Sequence, residues 1–178
     1  MIQLIVNLLL LASFREVPET PKLTENSIGD SLTVYIFLHD ECVISQFFTP
    51  ELTRLFDMYQ PQGVGFIGYF PNPATTPEKM KGFAEAYQLG FPLLQDQHKA
   101  LARKFGVTIT PEVAVWDHRL DQLIYRGRID DSYVRVGKRK LHPQHHDLQE
   151  TIDAWLSGQY IHTLVQTQAI GCFINFTD

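Results

Sequence analysis

The stretch Leu32–Leu38, reading Leu-Thr-Val-Tyr-Ile-Phe-Leu, is a nearly unbroken apolar, β-branched and aromatic run. A run without polar alternation suits a strand covered on both faces, and such strands belong to sheets flanked by helices. The short polar loop His39-Asp40-Glu41 follows, then Cys42, after which Phe48, Leu52, Leu55, Phe56 and Tyr59 recur at helical spacing. The chain therefore sets a cysteine at the start of a helix just beyond a buried strand. Free N–H groups and the positive end of the helix dipole at that position favour a thiolate, the reactive form of cysteine. A buried structural thiol is the bland alternative; redox chemistry is the reading adopted.

The same alternation continues. Gln60-Pro-Gln-Gly63 stops the helix, and Val64–Phe70 is a second apolar strand. After the proline-rich loop Pro71–Pro77, Thr76 is placed to cap a helix that has Pro77 at its first position and Met80, Phe83, Ala84 and Tyr87 on one face. Phe91–Leu94 reads as a short strand. It is followed by a helix with Ala100, Leu101 and Phe105 inward, closed by Gly106. The strands Val113–Trp116 and Gln122–Arg126, joined by a turn near Asp117–Asp121, form a hairpin. The last helix, Asp147–Leu156, carries Leu148, Ile152, Trp155 and Leu156 on one side and stops at Gly158. This order predicts an α/β fold, a central mixed sheet flanked by helices. Three parts are expected: an N-terminal apolar segment and lead-in over 1–30, a domain over 31–160, and a tail over 161–178 that carries Cys172.

Composition narrows the function classes. A chain of 178 residues that is 44% hydrophobic supports one full core. The net charge of −5 leaves no basic footprint, so nucleic acid is not an expected partner. The basic and histidine-rich run Arg135–His146 reads as a solvated loop. Two cysteines exclude the disulfide framework of small secreted domains. Ile2–Ala12 is apolar and similar to the core of a secretory signal, yet no Lys or Arg precedes Arg15. It is also shorter than the roughly 18 residues a membrane span needs. Export to the periplasm or the membrane is the expectation, with the cytoplasm as the alternative.

Four motifs together carry a resemblance: Cys42-Val-Ile-Ser45, Thr110-Pro-Glu112, Tyr125-Arg-Gly-Arg-Ile-Asp-Asp131 and Gly171-Cys-Phe-Ile174. They resemble the thioredoxin-like redoxins of the alkyl hydroperoxide reductase/thiol-specific antioxidant group. Within that group the chain looks most like a bacterial subfamily with a single active-site cysteine and a C-terminal Gly-Cys. The resemblance runs from about Ser31 to Ile174. It implies a thioredoxin-like fold, thiol–disulfide exchange or antioxidant activity, protein thiols, disulfides or peroxide as partners, an external thiol reductant, and no cofactor. Two departures stand out. Val43 replaces the proline common after the first cysteine, and Ser45 holds the place of a second cysteine, where a hydroxyl cannot resolve a mixed disulfide. Tyr35 and His39 stand where peroxiredoxins carry Pro and Thr, which makes peroxidase activity the second hypothesis; a non-enzymatic peptide-binding module is the third.

The residues, together with the resemblance, nominate site residues. Cys42 would be the nucleophile. Thr110 and Pro111, with a cis peptide between them, and Ser45 would face an extended thiol substrate. Arg126 or Arg128 would stabilise a thiolate or anionic substrate, or else brace a loop through Arg–Asp pairs. His39, if protonated, would favour the thiolate, and Asp40 and Glu41 would oppose it. Cys172 would resolve oxidised Cys42 if the tail folds back, Gly171 allowing close approach; pairing with another subunit or remaining a plain tail thiol are the alternatives. His142, His145 and His146 are only faintly similar to copper-handling relatives. In those a second cysteine stands four residues on, where this chain has Gln46, and no metal site is expected.

Overall fold

The computed structural model describes residues 31–159 and 161–177. The apolar segment before Arg15, and the export reading that rests on it, lie outside them. Among the described residues no helix is long and apolar enough to cross a membrane.

Strand β1 (Leu32–Phe37) lies near the middle of a six-stranded sheet. On one side it pairs in parallel with β2 (Val64–Phe70), which pairs in parallel with β3 (Leu93–Gln95). On the other side it pairs antiparallel with β5 (Glu112–Asp117), which pairs antiparallel with β6 (Gln122–Gly127). The sheet is therefore mixed, as the chain order predicts. Alternate residues of β1 serve two cores. Leu32, Val34 and Ile36 face a large cluster with Phe48 and Leu52 of α1 (Val43–Tyr59), Phe83 of α2 (Pro77–Tyr87) and Ile152 of α4 (Asp147–Leu156). Phe37 faces a smaller cluster with Ala102 and Phe105 of α3 (Ala100–Phe105), Val107 and Ala114. That two-sided burial is why β1 lacks polar alternation.

Local chemistry sets the helix ends. The Thr76 hydroxyl accepts the Lys79 N–H, with Pro77 at the first position of α2. Pro50 lies inside α1 and has no N–H for the Gln46 carbonyl; the Thr49 hydroxyl donates to that oxygen instead, at 2.8 Å. Helix α3 enters through two non-glycine residues in the left-handed region, His98 (φ 56°) and Lys99 (φ 54°). The Asp96 carboxylate receives the Leu101 and Ala102 N–H groups, both at 2.9 Å. This entry shifts the phase of the helix, so Ala102 is buried and Ala100, expected inward, is exposed.

The largest departures from the sequence reading are short strands. The third strand starts at Leu93 rather than Phe91. Part of the run expected to be a solvated loop is a hairpin, β7 (Tyr133–Arg135) and β8 (Lys138–Arg139). Residues 161–177 run back across the domain. In them β9 (Val165–Gln166) adds a parallel sixth strand beside β6, and β10 (Cys172–Phe173) pairs antiparallel with β4 (Ile109–Thr110).

Candidate active site

The His39-Asp40-Glu41 turn carries the chain from β1 to Cys42, the residue that caps α1 (φ −84°, ψ 113°). The Cys42 N–H donates to the His39 carbonyl at 3.1 Å, and its own carbonyl receives the first helical bond from Gln46 at 3.0 Å. The sulfur makes no side-chain capping bond to the helix. It lies at the dipole's positive end and contacts the Thr110 carbonyl at 3.4 Å. No acidic residue occupies the first turn of α1. The two carboxylates of the preceding turn are shared by one cation from α2: Lys79 Nζ lies 3.7 Å from Asp40 and 3.5 Å from Glu41. The loop's negative charge is thereby partly offset, a contribution the sequence reading omitted.

Cys42 is 2% exposed, not the open thiol that a helix-start position suggests. Cys42 belongs to the main core cluster, and the tail supplies the remaining cover. In the β4–β10 pairing Cys172 stands opposite Thr110 and Phe173 opposite Ile109. The Thr110 hydroxyl donates to the Cys172 carbonyl at 3.3 Å, and the Ile174 N–H donates to the Thr108 carbonyl at 2.9 Å. This register sets the Cys172 sulfur 2.7 Å from that of Cys42, with Cys172 as donor, across 130 residues of sequence. Both cysteines are free thiols. Burial first, then the hydrogen bond and charge of the Cys42 sulfur, push the Cys172 thiol up to about 12. Cys172 therefore keeps its proton at neutral pH. A cavity of about 320 Å³ opens beside Thr110, lined in part by His39, Asn72, Lys99, Ile174 and Asn175.

The Thr110–Pro111 peptide is cis, as the resemblance implied. Thr110 touches both cysteines. Glu112, just beyond the proline, holds the approach to β4: its carboxylate accepts the N–H groups of Thr108 (3.1 Å) and Ile109 (3.4 Å). Burial raises the Glu112 pKa, against those bonds and the Arg126 charge. Ser45, expected to face substrate, is fully buried, and its hydroxyl receives the His39 N–H at 3.2 Å. It braces the cysteine turn. The His39 ring is held between the Glu41 N–H at Nδ1 and the Asn72 amide at Nε2.

Of the two roles expected for Arg126 and Arg128, beside the thiolate or bracing a loop through ion pairs, the contacts match the second. Arg126 donates to the Phe105 and Gly106 carbonyls and to Gln166, and lies 3.6 Å from Glu112. Arg128 makes a two-pronged pair with Asp147 at the start of α4. None of these hydrogen bonds or ion pairs involves a cysteine. Asp131, at the end of the same motif, pairs with Lys140 of the hairpin segment and accepts the Gln144 N–H at 2.7 Å. The motif thus ties α3, α4 and the hairpin to the sheet. Among the described residues no cluster of three or more His, Cys, Asp or Glu is arranged to hold a metal ion.

The AhpC/TSA family model matches residues 18–129. Among solved structures, the chain is similar to an uncharacterized conserved protein from Geobacillus kaustophilus. The two are 29% identical with a TM-score of 0.74, covering 85% of this chain and 80% of that one. It is similar also to a hypothetical protein from Sinorhizobium meliloti 1021, at 28% identity and TM-score 0.71, covering 84% and 81%. The thioredoxin domain of a thiol-disulfide oxidoreductase from Bacteroides vulgatus, 13% identical with TM-score 0.53 over 74% and 84%, shares the fold alone. The fold is thioredoxin-like. No curated protein matches the chain.

Proposed function

Because the chain belongs to the AhpC/TSA family, as a thioredoxin-like redoxin, we propose that it is a thiol–disulfide oxidoreductase with Cys42 as nucleophile and Cys172 as resolving thiol. We further assign it to a subgroup with one active-site cysteine and a C-terminal Gly-Cys. The observation that supports this reading most is the approach of the two sulfurs on the β4–β10 pair. The Cys42 thiolate attacks one sulfur of a protein disulfide, forming a mixed disulfide and releasing the other sulfur as a thiolate. Cys172 loses its proton and attacks the Cys42 sulfur. The substrate leaves as its second thiolate and a Cys42–Cys172 disulfide remains. An external dithiol then takes up the oxidation and restores both thiols. Thiols carry all the electrons, so the cycle uses no cofactor. The charge of Cys42, which helps hold the Cys172 proton in the reduced pair, is gone once Cys42 sits in a mixed disulfide, so Cys172 ionises more readily at that stage.

The cavity beside Thr110, whose carbonyl touches the Cys42 sulfur, has room for a small oxidant and supports a second reading, a thiol peroxidase, in which a shift of the tail admits the oxidant to the buried sulfur. There the Cys42 thiolate cleaves the O–O bond to give a sulfenic acid and an alcohol or water. Condensation with Cys172 then forms the same disulfide and releases water.

Insulin reduction with a dithiol donor tests the first reading. Activity is expected in the wild type and lost in Cys42→Ser, while Cys172→Ser accumulates a mixed disulfide on Cys42. Cys42-dependent peroxide consumption without insulin reduction transfers the assignment to the peroxidase. Neither activity, with partner capture intact in Cys42→Ser, overturns both in favour of a binding module.

A further inference from the structure

We propose that the edge of β4 is a docking site for an extended polypeptide whose reactive cysteine follows a glycine, and that the chain's own tail holds this site until such a partner displaces it. The proposal rests on the thiol-exchange reading above and adds the class of partner and the competitor.

The β4–β10 pair forms a sheet of its own, separate from the six-stranded one. Its backbone bond, from the Ile174 N–H to the Thr108 carbonyl, reads no side chain. The hydroxyl of Thr110 likewise seeks only a carbonyl, that of Cys172. Any strand laid along β4 in this register is offered the same contacts, as in recognition by strand addition. Selectivity then comes from the side-chain positions. Before the cysteine, a Cβ at Gly171 would overlap the carbonyl oxygen of Thr110. That oxygen belongs to a buried strand, held through Glu112 and a ring-locked Pro111, and cannot swing aside like a flexible side chain. Only glycine fits there. After the cysteine, Phe173 is 82% exposed and places no demand on its identity. Ile174 and Phe176 pack against the cluster of Phe37 and Phe105, so the second and fourth positions beyond the cysteine call for apolar side chains.

The tail holds this edge through a two-residue strand whose Cys172 and Phe173 are both exposed, and through Ile174 and Phe176 in the smaller cluster with Arg103 on the Phe176 carbonyl. A partner with apolar side chains at the same two positions replaces those contacts as it displaces the tail. A partner presenting its cysteine as a disulfide takes the edge. The Cys42 thiolate attacks the partner's glycine-flanked sulfur, a Cys42–partner disulfide forms, and the partner's former sulfur mate leaves as a thiolate. When the tail returns, Cys172 attacks Cys42, the new bond replaces the mixed disulfide, and the partner departs as a thiolate. Both strands need one edge, so resolution and product release are a single exchange.

The test uses full-length Cys172→Ser, in which the mixed disulfide persists. The probe is a synthetic peptide with the sequence of residues 167–176, its cysteine carried as a thiopyridyl disulfide; a second peptide has valine in place of the glycine. Thiopyridone release is expected to be faster for the glycine peptide by about tenfold or more. The rate should level off at high peptide, where tail opening limits it. Adding Gly171→Val to the protein removes the competitor and should raise the rate with the glycine peptide. Equal rates for the two peptides overturn the proposal, and because the change lies in the peptide, folding of a variant does not enter. Ellman's reagent serves as a small reference disulfide. If Cys42 reacts with it while the peptides are not told apart, the docking proposal alone falls. If Cys42 is inert to it as well, the thiol-exchange reading falls first.

Discussion

Oxidation of the two thiols should stabilise the domain by an amount that loop length sets. A Cys42–Cys172 bond closes a loop of 130 residues. Chain-entropy arithmetic for a loop of that size gives about 5 kcal/mol at 25 °C, all of it through restriction of the unfolded chain. Distortion of the native state usually erodes such gains. Here the reduced tail already pairs with β4 and sets the two sulfurs 2.7 Å apart, so bond formation closes a short gap between side chains. For a domain of this size each kcal/mol moves Tm by about 2–4 °C, so oxidised and reduced protein should differ by about 10–20 °C. The assay is thermal unfolding by circular dichroism after diamide or dithiothreitol treatment, with free thiols counted in parallel. Cys172→Ser is the control and should show no redox dependence. A difference below about 3 °C with no thiol left to titrate would refute the loop argument. Two titratable thiols after oxidation would refute the pairing itself.

Three further outcomes follow from the electrostatics. Because the Cys172 pKa is raised in the folded state to about 12, the stability that its protonated form gives the docked tail is intact below roughly pH 8.5, the free-thiol value, and is lost as pH climbs toward 12. Cys42→Ala removes two of the raising causes, so thiolate absorbance near 240 nm should appear at lower pH than the Cys172 signal of the wild type; an unmoved titration refutes the contact. Asp131 is the opposite case. Burial works to raise it, but the Lys140 ammonium and the Gln144 and His145 backbone outweigh burial and hold it down at about 2. Its contribution is therefore present above roughly pH 4 and lost as pH falls through about 2. Asp131→Asn should cost about 1–2 kcal/mol at pH 7 in urea unfolding and much less near pH 2; an equal cost at both values contradicts the assignment. Arg126→Ala should lower stability by about 1–3 kcal/mol by leaving Glu112 and the last carbonyls of α3 short of a partner. The iodoacetamide reactivity of Cys42 should hardly change, whereas a large fall in it would return Arg126 to the thiolate.

Elements whose signal is local were legible in the sequence. Strand β1 and strand β2 announced themselves by unbroken apolar runs, and α2 by Thr76 and Pro77 at its start. The turn that carries Cys42 to the head of α1 was equally plain. What escaped depends on partners distant in sequence. Strands of two or three residues such as β4, β9 and β10 have no period to read, because their pairing is chosen by the tertiary fold. The burial of Cys42 escaped for the same reason, since part of its cover arrives from residues near 172. The ion-pair logic of Arg126 and Arg128 turned on Glu112 and Asp147, which the motif does not contain. One clue was available for the braced approach to β4: a glutamate directly after the Thr-Pro pair, where a carboxylate reaches the N–H groups just before it.

The strand that shields the nucleophile is translated after the domain it completes. Synthesis proceeds from the N-terminal side, so β1, α1 and β4 are made before residues 169–177 exist. Throughout that interval Cys42 lacks its lid and meets whatever small oxidants or stray thiols surround the ribosome. The nascent molecule is thus a different reagent from the finished one.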